Sequence, residues 1–211
     1  TRGPPADPCP SGRTATDAPP VKPTRIVPAS GLPFFLMAAG FAAHSVMQSG
    51  TLAHLLTILQ RGGIDAGTAV AIGAMFGPAQ VLSRIADFMS GGRLHPLLVA
   101  RLAMAVMAGG FILLTVVGFS PEIAALFAIM FGAANGVVTI ARGALPLALF
   151  GAAGYGRVVG RIARPAQICQ ALAPFALAFA IDRWSDRAAL EILIAAALLA
   201  LCCFRAIRRP A

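Results

Sequence analysis

The chain reads as an all-α integral membrane protein, a bundle of six transmembrane helices. Three observations predict this. Hydrophobic residues make up 58% of the 211 and charged residues 12%, with a mean hydropathy of +0.80, whereas an ordinary globular domain carries roughly 25% charged residues. Six solidly apolar runs recur, each of about twenty residues or more and so long enough to cross a hydrocarbon core. The 17 Lys and Arg sit singly at the edges of those runs. A soluble chain this apolar could not cover its own surface; the missing solvent is lipid.

The first run covers 32–59, with a polar weak point at Gln48-Ser49-Gly50, and Arg61-Gly62-Gly63 ends it. The second covers 66–88 and carries Gly77-Pro78 in its middle, where the missing N–H and the ring predict a kink. Ser90-Gly91-Gly92-Arg93 supplies the next turn, and the third run spans 96–117. Ser120-Pro121 opens the fourth, 121–145. A glycine-rich break over 150–156 precedes the fifth, 157–181, and Asp182 to Asp186 forms the turn after it. The sixth, 188–207, ends in Arg208-Arg209-Pro210. A membrane barrel would alternate with period two; these runs do not, so helices are expected.

Residues 1–30 are rich in Pro, Ser and Thr and hold no apolar core beside a cleavage site. They read as a disordered tail or a linker rather than a signal peptide. The domain is therefore expected over 31–209. One side of the membrane collects Arg2, Arg13, Lys22 and Arg25, then Arg84, Arg93, Arg142, Arg157 and Arg161, then Arg205, Arg208 and Arg209. The other side holds Arg61, Arg183 and Arg187. Basic loops stay inside, so both termini are expected in the cytoplasm, which requires an even number of spans.

The net charge of +9 raises the question of nucleic acid. One Trp and one Tyr leave nothing to stack on bases, and the basic residues form no single face, so no nucleic-acid partner is expected. Cys169, Cys202 and Cys203 lie in apolar stretches and Cys9 in the tail, a pattern without zinc spacing. Cys202 and Cys203 read either as apolar filler or as acylation sites. There is no G-x-S-x-G elbow, H-E-x-x-H pair or phosphate loop. The eight acids fall almost entirely in tails and turns. Neither an enzyme nor a cofactor or metal site is expected.

Polar side chains inside hydrocarbon are costly and face a bundle interior or a wet cavity. On the first helix His44 and Gln48 lie one turn apart, followed by Thr51, with His54 about 80° round. On the fourth, Asn135, Thr139 and Arg142 form one stripe beside a Gly132-x-x-x-Gly136 step. Two readings stand for both groups: ligands to a polar solute, or hydrogen-bonding glue between helices. For Arg142 a further reading is a cytoplasmic-end residue that snorkels. On the fifth helix Arg164, Gln167 and Gln170 make a secondary polar stripe, with Arg164 either deep or at the interface. Arg84 and Asp87, at i and i+3, read either as a gating pair or as a solvated ion pair worth under about 1 kcal/mol. Gly73/Gly77 and Gly156/Gly160 repeat the small-residue spacing and read as further close-packing signals.

Six helices with a Gly-Pro second helix, together with Ala141-Arg142-Gly143-Ala144-Leu145-Pro146-Leu147-Ala148-Leu149-Phe150-Gly151, Gly154-Tyr155-Gly156 and Ala171-Leu172-Ala173-Pro174, resemble the C-terminal half of a bacterial major facilitator superfamily transporter. The family's basic loop, G-x-x-x-D-R-x-G-R-R, has a counterpart in Ser83 to Arg93 that keeps an Arg, an Asp and a Gly-Arg at altered spacing. The resemblance implies a secondary active transporter in the bacterial inner membrane that moves a small solute by alternating access. It implies that the first and fourth helices line a cavity through His44, Gln48, Asn135 and Thr139. It also implies a partner, either a second six-helix half or a symmetric second copy, with residues 1–30 as the linker between halves. The competing expectation is a non-transporting membrane scaffold or a truncated gene fragment.

Overall fold

The computed structural model describes residues 31–91, 94–152 and 154–207. The expected tail over 1–30, and the turn and terminal residues Gly92, Arg93, Arg208 and Arg209, lie outside them. Six helices occupy the described chain: α1 Leu32–Arg61, α2 Ala66–Met89, α3 Pro96–Val117, α4 Pro121–Phe150, α5 Tyr155–Arg183 and α6 Asp186–Ala206.

Local chemistry sets the helix starts. Asp65 accepts from the Thr68 N–H at 3.0 Å, Ser120 Oγ from Ile123 at 3.3 Å and Ser185 Oγ from Ala188 at 3.1 Å, each filling an orphan donor of a first turn. Pro33, Pro96 and Pro121 stand in first turns, where a missing N–H costs nothing.

The boundary between α4 and α5 differs from the sequence expectation. The glycine-rich break expected over 150–156 shrinks to 151–154, so α4 runs on to Phe150 and α5 starts at Tyr155. Gly151 and Gly154, at φ 75° and 72°, make the reversal in so few residues; both angles are left-handed and favour glycine. Tyr155 Oη then donates to the Gly143 carbonyl at 2.9 Å, pinning the new helix against the old one. Pro78, Pro146, Pro165 and Pro174 all lie inside helices, as neighbouring helices permit in a membrane.

Five of the six helices, α2 to α6, are long and apolar enough to cross a membrane. The exception is α1, expected as the first span. At 30 residues it is long enough, but His44, Ser45, Gln48 and Ser49 dilute its apolarity at the centre. The polar groups are tolerated because the helix is wrapped by others: α1 and α4 bury fourteen residues each, against four in α2. Large side chains such as Phe88, Met89, Val116, Phe175 and Phe179 remain exposed. So much apolar surface has no place in water, and the chain is a multi-pass membrane protein.

The helices pair in a repeating pattern. α1 packs along α5 and α6, α4 packs along α2 and α3, and α3 meets α6. Exchanging α1 with α4, α2 with α5 and α3 with α6 maps these pairings onto themselves. Lipid supplies no hydrophobic drive between helices, so close van der Waals contact must hold them. Gly132 and Gly136 provide it on the α4–α2 seam: a Cβ at Gly132 would sit 2.7 Å from the Phe76 carbonyl oxygen, and one at Gly136 would sit 2.5 Å from that of Gln80. Gly77, Gly156 and Gly160 have nothing within 4 Å of such a Cβ, and Gly73 meets only the Leu56 side chain. Those two glycine pairs are therefore not close-packing steps. Spacing alone does not say which helix face meets a neighbour.

Candidate functional site

α1 and α4, the two helices that bury the most residues, approach each other sparsely, and their side chains meet across the gap. The Phe34 and Phe150 rings meet at 6.2 Å, so the start of α1 and the end of α4 lie at the same level. From that level, Arg142 is eight residues up α4 and His44 ten residues up α1 from Phe34. At 1.5 Å per residue both lie about 12–15 Å along the bundle from that level.

Four polar side chains are all but fully buried: His44, Ser45, Thr51 and Asn135. Arg142, half-buried, reaches His44 and Ser45 from α4. Its Nη2 donates to Ser45 Oγ at 3.1 Å and lies 3.3 Å from His44 Nδ1. A guanidinium has no acceptor, so His44 Nδ1 accepts and the imidazole carries its proton on Nε2. Ser45 turns its own hydroxyl proton to the Phe41 carbonyl at 3.0 Å, leaving an oxygen lone pair for Arg142. The Phe41 ring lies 5.5 Å from Arg142 Cζ, within cation–π range.

The cluster is not saturated. His44 Nε2, Asn135 Oδ1 and Arg142 Nε are buried without a hydrogen-bond partner among the described residues, as is Thr51 Oγ1 two turns further along α1. The first two belong to facing side chains, a donor and an acceptor not brought to bonding geometry. Buried polar atoms left open are costly and mark a place where something else can bind.

Beside Arg142 lies a largely enclosed pocket of about 210 Å³ between α1, α4 and α5. Phe41, Pro146, Val159 and Ile162 line it together with two polar groups, Arg142 and Gln167.

The structure sorts the sequence candidates. His44 and Asn135 come together. Gln48 is half-buried and makes no hydrogen bond among the described residues. Thr139 turns away, donating to the Asn135 carbonyl at 3.0 Å and accepting from Arg84 Nη2 at 3.4 Å. Arg142 does not snorkel to a helix end; it turns inward, because Ser45 and His44 offer acceptors closer than the interface. Arg84 and Asp87 do not pair. Arg84 bonds to Gln80 Oε1 at 3.2 Å and to Thr139, while Asp87 lines a different, mostly apolar cleft of about 370 Å³ between α2, α3 and α4. Arg164, Gln167 and Gln170 are all exposed on α5, and of the three Gln167 alone lines the Arg142 pocket.

Sequence reasoning missed Ser45, Phe41 and Arg101. Ser45 adjoins His44, and Phe41 precedes it by one turn, but neither residue type signals a site. Arg101, an arginine inside the third apolar run, was the more legible. Its guanidinium bonds to the carbonyls of Phe204, Arg205 and Ile207 at 2.9, 3.2 and 2.8 Å and so closes the C-terminus of α6. No cluster of metal-ligating side chains occurs among the described residues.

No protein-family model matches the chain, and no curated protein matches it.

Proposed function

We propose that the chain is a secondary transporter, or the C-terminal half of one, of the major facilitator type, moving a small solute by alternating access across a bacterial inner membrane. The observation that carries this reading is Arg142: a guanidinium turned inside the bundle, held by neutral partners between α4 and α1 and bordering a pocket. Ionisable groups that face the interior of a transmembrane bundle are expensive and mark substrate or ion pathways.

Two further features support it. The pairing pattern is that of two three-helix units, and three spans each would set the second unit upside down relative to the first, as in inverted-repeat transporters. On α5 the exposed residues Arg157, Arg164, Gln167 and Gln170 form a polar face within a span. That face suits water or a second bundle rather than lipid. A second six-helix half, or a second copy, would cover it and complete the cavity, and both termini would face the cytoplasm.

Proteoliposomes holding the chain, with and without a co-expressed six-helix partner, are expected to take up solute under an imposed proton gradient. Absence of flux for anionic, neutral and cationic solutes alike in both preparations would refute the proposal. Crosslinking through α5, at Gln170→Cys, is expected to trap the partner bundle.

A further inference from the structure

We infer that the Arg142 pocket binds a small organic monoanion, a monocarboxylate with an apolar body. The inference deepens the transport reading and rests on it for the purpose of the site.

A guanidinium carries five N–H donors, and Arg142 uses two, both on Nη2, for His44 and Ser45. The donors on Nε and Nη1 have no partner. The hydrogen-bonding and ring contacts of Arg142 among the described residues are all neutral: an imidazole acceptor, a hydroxyl and the Phe41 ring. The acids of the described residues lie elsewhere. Asp65 caps α2, Glu122 stands in the first turn of α4, Asp182 in the last turn of α5, and Asp186 and Glu191 in the first turns of α6. Asp87 faces the separate cleft beside α3. The two ion pairs among the described residues, Arg61–Asp186 and Arg187–Glu191, leave Arg142 out. A cation withdrawn from water without a protein counter-charge favours a ligand that brings one.

The pocket then selects among anions. One arginine compensates one negative charge, which disfavours dianions such as free phosphate. Its space of about 210 Å³ is that of about seven waters, too small for a drug-sized solute and suited to a body of benzoate size. Its walls away from Arg142 are Phe41, Pro146, Val159 and Ile162, which would desolvate an apolar ring or chain. Gln167, the second polar group, can donate its amide N–H to a carboxylate oxygen. His44 and Ser45 act as positioning residues: they hold Nη2 and leave Nη1 without a protein partner among the described residues.

The test is direct binding to the full chain in lipid nanodiscs, with radiolabelled benzoate as probe and its isosteric amide and amine as competitors. Saturable benzoate binding is expected, with benzamide and benzylamine competing at least tenfold more weakly than unlabelled benzoate. Arg142→Gln should weaken binding at least tenfold, Arg142→Lys should recover part of the loss, and Gln167→Ala should weaken it a few-fold. Arg187→Gln, far from the pocket, should bind as wild type. The competition series uses wild-type protein alone, so it decides the matter even where a variant fails to fold. Benzamide competing as well as benzoate, no saturable benzoate binding, or equal binding by folded Arg142→Gln would overturn the inference. Saturable benzoate binding without flux of any solute keeps the anion site and removes the transport reading. Flux of a neutral or cationic solute that benzoate does not inhibit does the opposite.

Discussion

Gly136→Ala is the sharpest probe of how the bundle is held. The added Cβ would sit 2.5 Å from the Gln80 carbonyl oxygen and would also run into Ser83 Oγ. To reach an ordinary contact of 3.4 Å, α2 must withdraw by 3.4 − 2.5, or about 0.9 Å. The serine can rotate, although its hydroxyl would then leave the Gln80 carbonyl to which it donates at 2.8 Å. The carbonyl cannot rotate, because it belongs to the α2 backbone. Overpacking of this kind costs about 1–3 kcal/mol, and an obstacle of backbone places it near the top of that range. Alanine returns about 1 kcal/mol through its helix preference over glycine, so the net loss is about 2 kcal/mol. Gly160→Ala is the matched control. Nothing lies within 4 Å of its Cβ, so only the helix-preference gain remains, up to about 1 kcal/mol. Unfolding in mixed micelles, followed by circular dichroism, would measure both. Equal effects of the two substitutions, or a Gly136→Ala protein as stable as wild type, would refute the close-packed α4–α2 seam.

Two further perturbations test other parts of the fold. Arg101→Gln should destabilise the protein by about 2 kcal/mol, since charge-assisted bonds to terminal carbonyls are lost together. Arg101→Lys should recover less than half, because an ammonium cannot fork across three carbonyls; faster amide exchange confined to the last turn of α6 would be the signature, and unchanged exchange would count against the cap. The Asp65 carboxyl is held below its ordinary value of 3.8 by hydrogen bonds from Thr68. A carboxyl with a lowered folded-state pKa adds stability that is fully present above its unfolded value. That contribution fades as pH falls through the lower folded value. The stability gap between wild type and Asp65→Asn should therefore narrow on acidification below about pH 4, and a gap that stays constant would argue that the carboxylate does not cap α2.

Much of the architecture was legible in the residues. Six helices, their order and most of their ends follow from apolar run length and from capping residues such as Asp65, Ser120 and Ser185, all of which are local signals. The candidate site was legible only in part. His44 and Asn135 stand out as polar side chains within apolar runs, and they do meet. Ser45 and Phe41 carry no such signal, and Arg84 looked bound to Asp87 because helical spacing says which residues are neighbours on one helix. It does not say which helix stands opposite.

That difference marks the division for this protein. Local quantities such as hydropathy, capping and chain-breaking glycines act within a few residues, so the sequence alone determined that the chain is helical and lives in lipid. The central position of α1, the contrast between Gly136 and Gly160, and the inward turn of Arg142 arise from contacts between residues far apart in the chain, from Ser83–Gly136 to Gly40–Phe204, and only tertiary structure decided them. Arg142 illustrates the reason. Near a helix end an arginine can reach either interface or core, and the choice depends on acceptors presented by Ser45 and His44, 97 and 98 residues earlier in the chain.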